Sequence, residues 1–242
     1  MMKIINFRLE GRFGHFLRAD AGVSAISYPV PPRTVILGII GAVLGLEKDR
    51  PQTLLEPMQV AIGGRMPGSH WHKAKFRKDP PEALSYVIKK SQKQEKNTKP
   101  ERATLITQEW LFNPSYDLFV ALPEPFHSEF ASRLKERRWY FQPSLGLSEM
   151  LAELEFIATT EASKLPEGTY PVETLILQEN VQLAMEKCLK EELAINLLRL
   201  PRTVTPERVF THANYFMERD GRPIMVKTSD AYLSGKGILM FL

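Results

Sequence analysis

Along residues 2–10 apolar and polar side chains alternate, with Ile5, Phe7 and Leu9 interleaved with Asn6, Arg8 and Glu10. Period two predicts a half-buried strand. From Val35 to Leu46 the pattern changes, because Val35, Ile36, Leu37, Ile39, Ile40, Val43, Leu44 and Leu46 are apolar nearly all round. That predicts a buried helix, with Thr34 as its cap. Gly38, Gly41 and Gly45 lie three and four residues apart and put small residues on one side of it, where a neighbour comes close. Twelve residues cannot cross a bilayer, which takes roughly 20. Ahead of the helix, Pro29, Pro31 and Pro32 predict an extended segment barred from a central strand. Ser27, Tyr28 and Arg33 are expected on this turn as an exposed, rigid platform.

Further on, Leu54–Arg65 carries Met58, Val60 and Ile62 in alternation and predicts a strand ending at Gly63-Gly64. Thr104–Trp110 and Asp117–Leu122 predict two strands joined at Asn113-Pro114. Pro125–Arg137 predicts an amphipathic helix through Phe126, Phe130 and Leu134, and Leu154, Phe156 and Ala158 mark another strand. The order over residues 1–160 fits an α+β class, a ferredoxin-like or RNA-recognition βαββαβ domain with an insert at about 66–102 before its third core strand. Residues 161–242 are expected to form a smaller β-containing lobe. There Val172–Leu177 predicts a strand, Val181–Leu198 a helix, and Arg208–Lys227 a hairpin turning at Asp220-Gly221.

Charge sharpens this division. The chain carries 32 Lys and Arg against 28 Asp and Glu, but from His70 to Arg102 there are ten bases and four acids, so all the excess positive charge sits in the insert. Such asymmetry points to an anionic partner. Trp71, Phe76 and Tyr86 lie within it, and Gly11–Arg18 likewise mixes glycines, aromatics and bases. Single-stranded nucleic acid suits both, since bases stack on aromatic faces and phosphates need cations. The alternatives are a solvated loop for the insert and a turn with core phenylalanines for Gly11–Arg18. The lone cysteine, Cys188, excludes an internal disulfide or a cysteine cluster, and residues 1–11 lack a signal-peptide apolar block, so a cytoplasmic protein is expected.

Other chemistry finds few residues to stand on. No Gly-Lys-Ser/Thr follows the helix glycines, no Gly-X-Ser-X-Gly elbow occurs, and Cys188 has no nearby histidine in sequence. His70 and His72 are spaced as two metal ligands without a third, so neither a metal nor a cofactor is expected.

The run SYPVPPRTVILG from Ser27 to Gly38, followed by Gly41-Ala42-Val43-Leu44-Gly45, resembles the N-terminal signature of CRISPR-associated protein family five, of the RAMP superfamily. Tyr140-Phe141-Gln142-Pro143-Ser144-Leu145-Gly146-Leu147-Ser148-Glu149 resembles that family's second recurring turn. The resemblance covers about residues 1–160. It implies an RNA-recognition-fold palm, an inserted basic thumb at Met66–Arg102 and a variable C-terminal lobe. It also implies a ribonucleoprotein role in antiviral defence, as the subunit of a type I Cascade complex that grips the 5′ handle of the CRISPR RNA (crRNA). Such a subunit caps the backbone subunits beside the large subunit and meets target DNA only through the complex; no membrane is involved. On that reading the RNA-binding residues are Arg12, Phe13, His15, Arg18, Ser27, Tyr28 and Arg33 of the palm, Trp71, Lys73, Lys75, Arg77 and Lys78 of the insert, and Lys99 and Arg102 at its end. Glycines 11, 14 and 38 would admit the RNA backbone.

The rival reading is an enzyme. Some members of the family cut precursor crRNA without a metal, using a tyrosine of the Ser-Tyr turn and a Lys-His pair after the thumb. Tyr28 matches the tyrosine, but Lys99-Pro100-Glu101-Arg102-Ala103-Thr104 contains no histidine to carry a proton near neutral pH. A non-catalytic role is therefore expected, with Tyr28 as the runner-up catalytic residue. A third reading, another RNA-binding subunit of the superfamily, rests on the short Gly235-Lys236-Gly237 near the end.

Overall fold

The alternation at residues 2–10 becomes β1 (Met2–Glu10). The chain here is described by a computed structural model over residues 1–22, 24–77, 103–179, 181–205 and 207–242. After β1 come the short strands β2 (Phe13–Gly14), β3 (Phe16–Leu17) and β4 (Ser27–Tyr28), then helix α1 (Arg33–Leu44) and the single turn α2 (Pro51–Leu54). Next are β5 (Gln59–Gly63), β6 (Gly68–Arg77), β7 (Ala103–Phe112), β8 (Ser115–Ala121), helix α3 (Phe126–Glu136) and β9 (Glu153–Lys164). The last part holds β10 (Gly168–Val172), β11 (Ile176–Leu177), β12 (Gln182–Leu183), α4 (Met185–Lys190), β13 (Ile195–Val204), β14 (Phe210–Glu218), β15 (Ile224–Thr228), β16 (Tyr232–Ser234) and β17 (Gly237–Leu239).

This is a strand-rich α+β fold. A nine-stranded sheet runs in the order β12-β15-β10-β17-β16-β9-β1-β8-β5, so the C-terminal strands extend the sheet beyond β9. Strands β11, β14 and β13 make a second sheet, and β2, β7 and β6 a third. Helix α1 is apolar nearly all round because it is covered on two sides. Its Ile36, Leu37, Ile40 and Val43 share one core with Phe7 and Leu9 of β1, Leu118 and Val120 of β8, and Leu200, Ala213 and Tyr215 of the β13–β14 pair. Phe130 of α3 closes this core edge-on against Phe7 at 5.4 Å.

The helix start differs from expectation. Pro32 stands at the N-cap with no side-chain cap, and its carbonyl accepts the N–H groups of Val35 and Ile36 at 2.9 and 3.1 Å, so Thr34 lies inside the helix. The pre-set φ of proline, here −59°, replaces the capping side chain. Gly45, at φ +77°, ends the helix in the left-handed conformation open to glycine, and a Cβ there would stand 2.5 Å from the Tyr140 ring. A Cβ on Gly41 would strike Pro51, whereas Gly38 faces open space.

Three C-terminal expectations fail. Val172–Leu177 is not one strand: it holds the end of β10 and the whole of β11, which belong to different sheets. Val181–Leu198 is not one helix: α4 covers six residues, and from Ile195 the chain is extended on β14. Long-range pairing of Leu198 with Tyr215 and Leu200 with Ala213 overrides a weak local helical pattern. The chain does turn at Asp220-Gly221, but β14 pairs with β13 and β11 while β15 pairs with β10 and β12, so the two are not a hairpin. Buried Glu218 diverts the chain: its carboxylate accepts the N–H groups of Ala194, Asp220 and Arg222 and the Arg222 guanidinium. Among the described residues no helix is long and apolar enough to cross a membrane.

Candidate nucleic-acid interface

Strands β6 and β7 pair antiparallel over ten residues each, from Gly68 opposite Phe112 to Arg77 opposite Ala103. Successive side chains in a strand point to opposite faces, so the insert's chemistry divides in two. Trp71, Lys73 and Lys75 lie opposite Glu109, Thr107 and Leu105 and share one face; both lysines are exposed and Trp71 is 57% exposed. His70 and His72 lie opposite Trp110 and Gln108 on the other. Arg77 closes the described part of β6, while Lys78, Lys99 and Arg102 lie outside the described residues.

Glu109 ties the cationic face to the proline-rich turn. Its carboxylate accepts the backbone N–H of Ser27 at 3.1 Å and the Ser69 hydroxyl at 2.7 Å. Arg18 lies near enough to feel this charge. Its guanidinium is bonded to Asp20 at 2.8 Å, and that bond above all, with lesser help from Tyr28 and Glu109, holds its pKa above the usual arginine range. The same bond keeps the Asp20 carboxyl below the usual carboxylate range.

The proline-rich turn is not an exposed platform. Tyr28 is 5% exposed, its ring lies under the Arg18 guanidinium at 5.8 Å, and its hydroxyl accepts the Ala19 N–H at 3.4 Å. Ser27 is buried, and its hydroxyl accepts the Phe16 N–H and donates to the Tyr28 carbonyl. His15 is buried, with Nδ1 2.7 Å from the Glu109 carbonyl oxygen. A carbonyl can only accept, so Nδ1 carries the proton. Arg33 is 6% exposed and donates to both Glu56 oxygens at 2.6 and 2.7 Å and to the Met58 carbonyl at 2.7 Å. Desolvation raises the Glu56 pKa, but the Arg33 bonds outweigh it and the net shift is downward. These four residues position β3, β4 and α1 rather than present chemistry to solvent, because a guanidinium or hydroxyl placed inside the core must be satisfied there.

Arg12 and Phe13 reach the opposite face of the hairpin. Phe13 pairs with Phe112 and contacts Phe112, Trp110 and His70 at ring distances of 6.0, 5.4 and 5.7 Å, while the Arg12 guanidinium lies 5.5 Å from the Phe13 ring. Sequence reasoning missed Trp110, Phe112 and the histidines as members of this group. Their period-two placement in β7 was visible, but the register that sets them opposite His70 and His72 was not. Both histidines turn toward Trp110, and among the described residues no cluster of three metal-ligating side chains occurs.

The second recurring turn supports both faces. The Leu145 carbonyl accepts the His15 N–H at 2.8 Å, and Gly146, at φ +100°, leaves no room for a Cβ above the His15 carbonyl. A Cβ on Gly11 would stand 2.7 Å from Leu145, and one on Gly14 3.3 Å from Pro114. These two glycines admit protein, not a ligand backbone; only Gly38 of the three opens outward.

The family model described as "CRISPR-associated protein (Cas_Cas5)" matches residues 4–206. Among solved structures, a chain of a "CRISPR RNA-guided surveillance complex" is 15% identical with a TM-score of 0.55, covering 92% of this chain and 91% of that one. A "CRISPR protein from Archaeoglobus fulgidus" is 14% identical with a TM-score of 0.54, covering 98% of both. A chain of the "Type III-B Cmr-beta bound to cognate target RNA and AMPPnP" is 10% identical with a TM-score of 0.50, covering 91% of this chain and 86% of that one. No curated protein matches the chain. At such identities the structures speak for the fold, and the match over residues 4–206 makes this chain a member of the CRISPR-associated protein (Cas_Cas5) family.

Proposed function

We propose that this protein is the crRNA-binding subunit of a type I Cascade surveillance complex, gripping the 5′ handle in antiviral defence and capping the backbone subunits beside the large subunit. The observation that carries the reading is the hairpin face that sets Trp71, Lys73 and Lys75 in one row on the side tied to the Ser27 turn and Arg18. Cations at alternate strand positions stand roughly 7 Å apart, close to the spacing of phosphates along an extended strand. Arg12, Phe13, Arg18, Trp71, Lys73 and Lys75 are the RNA contacts of this reading, joined by the remaining thumb bases Arg77, Lys78, Lys99 and Arg102.

The palm, residues 1–160, is read as ferredoxin-like. The strand order β9-β1-β8-β5, with α1 between β1 and β5 and α3 between β8 and β9, supports this. Residues 161–242 form the smaller lobe, supported by a separate apolar cluster of Val172, Ile176, Cys188, Ile224, Val226 and Met240. Similarity to a chain of a CRISPR RNA-guided surveillance complex supports the assembly role. The proline-rich signature at Ser27–Gly45 favours type I over the type III neighbour.

Burial of Tyr28 favours binding over cleavage, since a nucleophile or proton donor must reach the RNA. Native mass spectrometry of the complex purified from cells tests the assignment. One copy of this chain per crRNA beside several copies of a backbone subunit is expected; its absence from RNA-loaded complexes would refute it. Incubation with CRISPR repeat RNA in EDTA is expected to leave the RNA intact. Specific cleavage lost in Tyr28→Phe would establish the nuclease reading instead.

A further inference from the structure

On the hairpin face away from Lys73 and Lys75, the His72 ring stacks on Trp110 with centroids 4.0 Å apart and planes 28° apart. His70 meets the same indole edge-on at 5.9 Å, and Phe13 and Phe112 extend the group. Trp110 is held in place by its Nε1–H, which donates to the Gln108 Oε1 at 3.2 Å, and Gln108 is itself buried. The outer edge of the group is open: Phe112 is 51% exposed and His70 is exposed. Arg12, with its guanidinium over Phe13, adds a cation on the same side.

Five rings are gathered on this three-stranded sheet: Phe13 and Trp110 pack in part against the main core, while Phe112 and His70 stand open to solvent. They offer what an unstacked base requires, namely flat π-faces fixed in orientation with a guanidinium at the rim. We infer that this face is a base-stacking site, where the exposed rings of Phe112 and His70, held from behind by Trp110 and Phe13, take an unpaired base of the RNA whose phosphates lie along Lys73 and Lys75 on the opposite face. The inference rests on the RNA-binding reading above. It adds that the RNA passes over an edge of the hairpin, so that one strand engages both faces.

The test compares binding of the full chain to a CRISPR repeat RNA and to the same RNA with its unpaired bases replaced by abasic sites. The two carry equal charge, so only base contacts differ. Intact RNA is expected to bind at least about tenfold more tightly, from the usual worth of a stacked base. Phe112→Ala, at an exposed position, is expected to lose most of that preference while keeping wild-type affinity for the abasic RNA and an unchanged salt dependence. Trp110→Leu should do the same. Equal binding of the two RNAs by the wild type, or equal loss for both in Phe112→Ala, would overturn the inference while leaving charge-driven RNA binding in place. Failure of both RNAs to bind would remove the RNA-binding reading along with it.

Discussion

The Arg33 guanidinium makes three short bonds inside the protein, two to Glu56 and one to the Met58 carbonyl. A lysine cannot reproduce that planar fork. Arg33→Lys is therefore expected to lower stability by about 2 kcal/mol in urea unfolding. The salt dependence of RNA binding should not change, because Arg33 is not among the groups that meet phosphate. Glu218 makes a second test at this scale. Its desolvation raises the carboxyl pKa, yet bonds from Arg222, Ala194 and Asp220 outweigh this and leave it depressed. Its stabilising effect is then complete above the unfolded value of about 4.3 and disappears as pH falls through the folded value. Glu218→Gln is expected to cost on the order of 2 kcal/mol at pH 7. The gap between wild type and variant should narrow as pH falls below about 4.3 in denaturant titrations. Neither burial could be read in the sequence, where Arg33 follows three prolines and looks exposed. Partners 23 residues away for Arg33, and 24 for the Glu218 bond to Ala194, are set only by the fold.

Among the elements, those with strong periodicity were legible: β1, α1, α3 and β9 fall close to their expected positions because each carries its own apolar face. Helix α4 and strand β13 were not, since partners distant in sequence decide their state; β14 and β15 flank the expected turn at Asp220-Gly221, but their separate partners were not legible. The β6–β7 hairpin lies between these cases. Its charge excess stood out, while its two-faced character depends on a register in which Lys73 meets Thr107 and His72 meets Gln108. Reversing Lys73 and Lys75 to glutamate together is expected to weaken RNA binding and to lower the slope of log K against log salt by about 1.4, from two lost phosphate contacts on a single strand. Isothermal titration across a salt series reads both quantities. Trp71→Ala on the same face should reduce affinity with no change of slope.

For the whole molecule, the C-terminal strands extend the main sheet past β9 through β16, and β13–β14 share one core with α1 and β1. That arrangement fixes the proline-rich turn, the second turn and the base of the hairpin as one packed unit. Leu145, Gly146, His15 and Glu109 are its joints. The family resemblance carried by Ser27–Gly45 and Tyr140–Glu149 thus marks two segments packed behind the hairpin, whose Trp71, Lys73 and Lys75 face outward. Photo-crosslinking of the protein to a CRISPR repeat RNA, with peptides mapped by mass spectrometry, tests this most directly. Crosslinks are predicted on Phe13, Trp71 and the Gly68–Arg77 strand, with none on Tyr28. Crosslinks concentrated on Tyr28 or the C-terminal lobe, and missing from the hairpin, would contradict it.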